Sequence, residues 1–239
     1  MAVATKGKPS FLARESMTNR VAESIRAAVV SGEYQLGQKL REAELTSKYG
    51  VSNSVIREAF HILQGEGIVV ADPYRGRSVF KLGATEAKEL VLIRTSFEAL
   101  AAYLAAEKLT AEWEKKIRSA AEEFLHVNTD GIMEWIRLEL IFHRAVWGAA
   151  GNEWLFQQLN RLAIPMISVN SIKYYCPEMN LEALVARNIE AERCRSITGH
   201  QLVAQAIIDR NPRKARESMI DHQMAIPELA ELRKNFFSF

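Results

Sequence analysis

The sequence predicts a mainly α-helical protein, in which a small N-terminal domain of three helices and a β-hairpin precedes an all-helical bundle of six or seven helices. Three observations favour this fold class. Apolar residues recur at helical spacing through most of the chain. A single pair of short β-prone runs occurs, and it lies before residue 82. After Glu86 strand signals nearly vanish, while the helical pattern continues almost to the C-terminus.

Length and composition set the class of protein. The chain has 239 residues, 48% of them apolar and 25% charged, which allows two domains with separate cores. No apolar run approaches the roughly 20 residues needed to cross a bilayer, and two cysteines are too few for a disulfide framework. These features predict a cytoplasmic protein without a membrane partner. Residues 1–15 are interpreted as a mobile basic tail.

Strong turn signals separate the elements of the first domain, residues 16–81. Gly50 stands where the second helix needs a left-handed stop, and Ser52 stands in the N-cap position of the third helix, which Gly67 ends. A turn-rich segment over residues 72–77 joins two β-prone runs into a hairpin. The predicted elements are helices over 17–30, 42–49 and 53–66, and β-prone runs over 68–70 and 78–80.

The second domain is predicted over residues 86–234, after a short linker at residues 82–85. Its amphipathic segments are separated by glycine, proline and helix-capping residues. The predicted helices cover residues 86–108, 111–127, 131–150, 154–175, 181–193, 197–210 and 213–234. Helices of this number and length form a bundle with a core of its own.

The order of elements in the first domain is that of a winged helix-turn-helix. In this arrangement the third helix enters the DNA major groove, and the hairpin lies along the backbone as a wing. Residues 1–82 contain 12 Lys and Arg against 8 Asp and Glu, whereas the remainder contains 19 against 21. A basic front and an acidic back fit DNA contact by one end, although an ordinary enzyme could have the same division.

A specific motif runs through the second and third helices. It combines a Leu-x-Glu-x-x-Leu helix, a Gly-Val-Ser turn, an Arg-Glu-Ala sequence and a Leu-x-x-x-Gly exit. In this chain the motif comprises Leu40, Glu42, Leu45, Gly50-Val51-Ser52, Ile56-Arg57-Glu58-Ala59 and Leu63–Gly67. It resembles the DNA-binding domain of the GntR family over about residues 16–80. The resemblance implies a transcription regulator that binds double-stranded operator DNA.

The resemblance assigns DNA contacts to the third helix and the wing. Hydroxyl and amide groups at the helix start suit phosphates, an arginine one turn later reaches a guanine edge, and a basic wing tip reaches the minor groove. The family usually has arginine where this chain has Asn53, so an altered base preference is expected. Taken alone, Arg57 and Arg75 are also compatible with ordinary surface residues, and His61 is interpreted as structural. The implied DNA-binding residues are Arg41, Ser52, Asn53, Ser54, Arg57, Arg75, Gly76 and Arg77.

Four side chains of the helical half have the spacing of a metal site. Glu139 and His143 are four residues apart and therefore share a helix face. His200 and His222 lie on consecutive predicted helices, and an antiparallel pair hinged at Asn211-Pro212 brings their imidazoles to the same level. A carboxylate with three imidazoles inside a bundle suits a divalent metal, zinc first, with nickel and manganese as alternatives.

The same half resembles the FCD ligand-binding domain of the GntR branch named for FadR, over about residues 86–234. Arg94, Glu98 and Gly151-Asn152 carry the resemblance together with the three histidines. It implies a metal held by a carboxylate and three histidines, although the usual carboxylate is aspartate rather than Glu139. It also implies that Arg94 binds the carboxylate of a small organic acid effector. The alternative for Arg94 is a surface salt bridge with Glu98.

The two resemblances together predict a homodimeric repressor that binds two-fold-related DNA and is released by its effector. Two alternatives remain open from the residues alone. A metal with this ligand set could activate water in a hydrolase-like enzyme. The histidines could instead be structural, in a helical module that binds a protein partner without a metal.

Overall fold

The computed structural model describes residues 16–237 except 73–75, 82, 127–131, 168–188 and 226–228. It confirms the predicted fold class, because the described part is mainly helical with one small sheet near the N-terminus. The predicted basic tail (residues 1–15) and Arg75 lie outside the described residues. None of the described helices is long and apolar enough to span a membrane.

The N-terminal domain consists of three helices and a three-stranded antiparallel sheet with the strand order β1-β3-β2. Strand β3 is central, since Ser78 faces Lys39 on one side and Val70 on the other. Strand β1 was not expected, because a strand of two residues has no detectable alternation. The elements are α1 (Met17–Val30), β1 (Lys39–Leu40), α2 (Glu42–Tyr49), α3 (Asn53–Gly65), β2 (Val69–Asp72) and β3 (Gly76–Val79).

Local chemistry explains where these helices begin and end. The Ser16 side chain accepts a hydrogen bond from the Asn19 amide and caps α1, which buries its apolar face in the domain core. Gly50 ends α2 with φ +63°, a left-handed conformation that a side chain disfavours. The core joins this face of α1 to the inner face of α3 and to the sheet. Packing of α3 against α1 and the sheet therefore holds the helix-turn-helix in place.

The C-terminal domain is a helical bundle built around α4. This long helix packs against four of the bundle's other helices, most extensively against α9, which also packs against α8. The described elements are α4 (Ala84–Lys108), α5 (Ala111–Glu123), a 3-10 turn (Phe124–His126), α6 (Ile132–Ala149), α7 (Glu153–Ile167), α8 (Ile189–Ile208), α9 (Pro212–Gln223) and α10 (Ala230–Phe236).

Three predicted boundaries in the second half were wrong. Helix α4 begins at Ala84, inside the predicted linker, with Gly83 as its N-cap. Helix α8 runs through the predicted break before residue 197. The helix predicted over residues 213–234 is two helices, α9 and α10. Pro227 lies between them in the sequence, and a proline inside a helix removes a backbone donor and clashes with the preceding turn.

The buried face of α1 provides a test of the N-terminal core. Ile25 is completely buried, whereas the adjacent Ser24 is exposed. We expect Ile25→Ala to lower the free energy of unfolding by about 2–5 kcal/mol, because it leaves a cavity in the core of the domain. Ser24→Ala should change this free energy by less than about 0.5 kcal/mol. Urea unfolding followed by circular dichroism measures both, and equal effects would contradict the packing described here.

Candidate functional site

The recognition helix α3 presents an exposed polar face at its N-terminal end. Ser52 is the N-cap residue, but its hydroxyl makes no capping hydrogen bond and instead lies 2.8 Å from the Ser54 hydroxyl. Asn53, Ser54 and Arg57 are all exposed, as a DNA-reading face requires. His61 is also exposed, one turn after Arg57, so its interpretation as a structural residue was wrong. The face therefore extends further along α3 than the motif suggested.

Arg57 and the wing arginine Arg77 are held by one carboxylate. Arg57 donates from Nε to Glu42 at 2.8 Å, and Arg77 donates from Nη1 to the other Glu42 oxygen at 2.8 Å. The Arg77 guanidinium also lies over the ring of the buried Phe60, 5.1 Å from its centroid. Glu42 thus joins the start of α2 to α3 and to the wing strand.

The other candidate DNA contacts lie around this cluster. Arg41 is exposed at the start of α2 and pairs with Glu44 at 2.8 Å. Gly76 is exposed at the start of β3 with φ +86°, and a Cβ there would meet no described atom within 4 Å. The backbone is therefore open to close approach by a ligand at this point.

The predicted metal ligands converge in the bundle core. Glu139 and His143 come from α6, His200 from α8 and His222 from α9, and one ligand atom of each lies within 4.8 Å of the others. The Glu139 Oε2 atom lies 3.4 Å from His143 Nε2 and 3.5 Å from His200 Nε2. His143 Nε2 lies 3.3 Å from His222 Nε2.

These separations fit a bound divalent cation. Metal–nitrogen bonds of about 2.0–2.1 Å in a tetrahedron place neighbouring ligand atoms roughly 3.3–3.4 Å apart. Three contacts of the cluster, at 3.3–3.5 Å, agree with that spacing, and all four ligand atoms lie within 4.8 Å of one another. Three imidazoles and a carboxylate are also ligands that zinc, nickel and manganese accept. The cluster can therefore hold a metal ion.

Aromatic packing fixes the His200 ring. It stacks on Phe124 with ring centroids 4.0 Å apart and meets Phe142 edge-on at 4.6 Å. Gly199, the preceding residue, makes room for the third histidine, because a Cβ there would lie 2.5 Å from His222 Nδ1. A glycine inside a helix costs about 1 kcal/mol relative to alanine, and here it permits the close approach of α8 and α9.

Behind the cluster lies a buried carboxylate, Glu98 on α4. Its Oε2 atom accepts hydrogen bonds from His143 Nδ1 at 3.0 Å and from Trp147 Nε1 at 2.7 Å. Its Oε1 atom accepts from Arg94 Nε at 3.2 Å. A hydrogen bond from Nδ1 fixes the His143 ring with Nε2 directed into the cluster, the usual outer-shell arrangement of a metal-binding histidine.

Burial and neighbouring charges set the pKa values of this carboxylate and its histidine. Burial raises the pKa of Glu98, but its contacts with His143, Arg94 and Trp147 outweigh burial and hold the pKa below its usual value. Burial lowers the pKa of His143, but the carboxylates of Glu98 and Glu139 outweigh this and raise it to about 9. The charge of Glu98 is thus compensated within the bundle.

The pKa shifts of two other candidate ligands, Glu139 and His222, favour their metal-binding forms. Burial raises the pKa of Glu139, but the neighbouring histidines outweigh it and hold that pKa well below its usual value. Burial lowers the pKa of His222 well below its usual value, and the nearby His200 lowers it further. An ionised carboxylate and a neutral imidazole are the forms that bind cations.

Sequence reasoning missed the roles of three residues. Glu98 was considered as a surface partner of Arg94, but both side chains are buried and Glu98 is fully so. The sequence motif includes Glu42 but assigns it no role. The contribution of Gly199 has one detectable signal, a glycine directly before a candidate metal ligand in a helical segment.

Comparison with known proteins agrees with both halves of the structure. Residues 17–79 match the profile of the gntR family of bacterial regulatory proteins, and residues 89–225 match that of the FCD domain. The structure of E. coli McbR/YncC superposes with a TM-score of 0.71 over 92% of this chain and 99% of that chain, at 21% identity. That likeness supports the fold.

Several curated relatives are transcriptional regulators. The uncharacterized HTH-type transcriptional regulator YdhC of Bacillus subtilis is 26% identical over 83% of this chain and 84% of its own length. The HTH-type transcriptional repressor GlaR of Escherichia coli is 25% identical over 81% and 86%. The Glc operon transcriptional activator of E. coli is 26% identical over 87% of each chain. This chain belongs to the GntR family of bacterial regulatory proteins, with a C-terminal FCD domain, and is a DNA-binding transcriptional regulator rather than an enzyme.

Proposed function

We propose that this regulator is a homodimeric, sequence-specific repressor whose hold on operator DNA is released by a small organic acid bound beside a divalent metal. The observation that carries the proposal is the four-ligand cluster of α6, α8 and α9. Its ligand atoms lie within 4.8 Å of one another, and a buried arginine, Arg94, lies nearby. Its two parts, DNA reading and effector sensing, rest on different residues of the chain.

The exposed face of α3 supports the DNA-reading part. Asn53 and Arg57 lie one turn apart at the N-terminal end of the helix, where side chains reach base edges when the helix enters a major groove. Ser52 and Ser54 offer hydroxyls to phosphates. A homodimer places two such helices about 34 Å apart, so we propose that the operator has two half-sites one helical turn apart.

We propose zinc as the resident metal, held by Glu139, His143, His200 and His222. The closeness of three imidazole nitrogens to one carboxylate oxygen supports this choice, since imidazole suits zinc well. Nickel and manganese are the alternatives, because both accept the same ligands. When bound, the metal supplies a Lewis acid to which an effector carboxylate or hydroxyl can bind.

Arg94 is the proposed partner of the effector carboxylate. Its side chain is only 7% exposed, and it lies close enough to His143 and His222 for its charge to lower the pKa of each. Its Nε donates to Glu98, which is the only hydrogen bond that its side chain makes to the described residues. The paired Nη groups remain for a planar, bidentate contact with a carboxylate.

The close approach of Gly199 to His222 provides a test of the metal site. We expect Gly199→Ala to weaken zinc binding, because the new methyl group pushes the His222 ring out of the cluster. The expected loss of affinity is about 10- to 100-fold, the effect of losing the residues that support a metal ligand in other sites. Competition between metal-free protein and a chromophoric chelator measures this affinity. Gly65→Ala on α3, where a Cβ meets no described atom within 4 Å, is the control. Native affinity in Gly199→Ala would rule out the four-ligand site.

A thermal-unfolding panel of mono-, di- and hydroxycarboxylic acids tests the effector site on zinc-loaded protein. At 100 times its dissociation constant an acid stabilises the folded state by about 2.7 kcal/mol, which raises the unfolding midpoint. We expect Arg94→Lys to lose most of this rise while the rise caused by zinc persists, because lysine keeps the charge but not the planar fork.

The matched control for that panel is Arg118→Lys, which alters an exposed arginine paired with Glu114 at 3.0 Å on α5. The acid that stabilises the native protein should also lower its affinity for operator DNA, as measured by fluorescence anisotropy. Equal stabilisation of native and Arg94→Lys protein, or of zinc-loaded and metal-free protein, would disprove the proposed effector site.

A further inference from the structure

One carboxylate in the N-terminal domain is shared by two arginines from different elements. Glu42 stands in the first turn of α2, and each of its oxygens accepts one hydrogen bond of 2.8 Å, from Arg57 on α3 and from Arg77 on β3. The Glu42 side chain is 26% exposed, so this bridge is shielded from water better than an ordinary surface ion pair. It therefore constrains both arginines in the absence of DNA.

The bridge leaves the reading end of Arg57 available. Glu42 takes the Nε hydrogen, and within the described part of the chain this is the only hydrogen bond of the Arg57 side chain. The two Nη groups make no hydrogen bond to the described residues and the side chain is 61% exposed, so the fork that they form is available for a guanine edge. An arginine on the surface without such a partner samples many rotamers and loses that freedom on binding.

Arg77 is fixed more strongly than Arg57. Its side chain is 24% exposed, and its guanidinium lies over the Phe60 ring on the inner side of α3. The bridge therefore runs from a core aromatic residue through Arg77 and Glu42 to Arg57. A displacement of the wing strand changes the position of the recognition arginine through this chain of contacts.

We propose that Glu42 is a specificity-determining positioning residue, which holds Arg57 ready to read a base and at the same time disfavours binding to arbitrary DNA. Its two effects have opposite signs. Positioning strengthens binding only where the correct base meets Arg57. The negative charge beside the DNA surface weakens the attraction of both arginines to phosphates on every sequence. The inference needs DNA binding by the first domain, and it is independent of the proposed metal and effector.

The opposite effects on specific and non-specific DNA binding give a test that distinguishes this role from a purely structural one. A duplex selected from a random library by the native protein serves as the specific probe, and a scrambled duplex of equal length serves as the other. We expect Glu42→Gln to reduce the ratio of the two affinities by at least about fivefold, the lower limit for one bidentate base contact. Binding to the scrambled duplex should become tighter, with a steeper dependence on salt concentration.

Two further variants separate charge from position. Glu33→Gln removes an equal charge from the same domain, at an ion pair with Lys48, and should leave the affinity ratio unchanged. Glu42→Asp keeps the charge but is too short to reach both arginines. It should lower the ratio without tightening binding to the scrambled duplex, and thermal unfolding confirms that each variant is folded.

Several outcomes would overturn the inference. The first is a selection that enriches no sequence, since the native protein would then have no specificity for Glu42 to determine. Equal weakening of both duplexes by Glu42→Gln would show a structural role only. An unchanged ratio in Glu42→Gln, or the same loss of ratio in Glu33→Gln, would show that the bridge does not position Arg57. A reduced ratio with tighter scrambled-duplex binding supports it.

Discussion

The buried carboxylate of Glu98 is the constraint on which the C-terminal domain depends. An ionised carboxylate without partners inside a protein costs several kcal/mol, so the donors from Arg94, His143 and Trp147 must all reach it. Two of these donors lie on α6 and one lies on α4, which sets the register of the two helices. The same register directs the second nitrogen of His143 into the metal cluster. Stability and site geometry therefore have a common cause in this half of the molecule.

Glu42 has a similar bridging role in the N-terminal domain. It is less buried than Glu98, and its ion pairs therefore have a different effect. Both carboxylates accept hydrogen bonds from arginine side chains, and both connect separate elements. Glu98 is completely buried, so the loss of a partner there is expressed as instability. Glu42 is partly exposed, so its pairs contribute little to stability but restrict where the arginines can point. The degree of burial decides whether such a bridge supports the fold or prepares a surface for binding.

The sequence predicted the fold class, the recognition helix and the four clustered residues, because these depend on local periodicity and spacing. Glu139 and His143 required only the helical repeat, and His222 required only a hinge near Asn211. The roles of Glu98 and Gly199 could not be predicted in this way, because each is defined by a partner on another helix, His143 and His222 respectively. Strand β1 depends likewise on its pairing with β3. The break between α9 and α10 could have been predicted from Pro227.

Helix α4 connects the two candidate sites physically. It carries Arg94 and Glu98, and its first residue, Ala84, follows the wing strand β3 after only four residues. Ala84 and Glu98 are 14 positions apart on this helix, so the rod between them is about 21 Å long at 1.5 Å per residue. Phe80, at the start of the connection, is anchored to the first domain by hydrogen bonds with Ile68 and Gly37. Arg94 thus lies on the helix that follows the strand bearing Arg77, and Arg77 is joined through Glu42 to Arg57. The connection between Arg94 and Arg57 thus combines one continuous helix, a short connecting segment and two ion pairs, which favours the coupling that the proposed effector response requires.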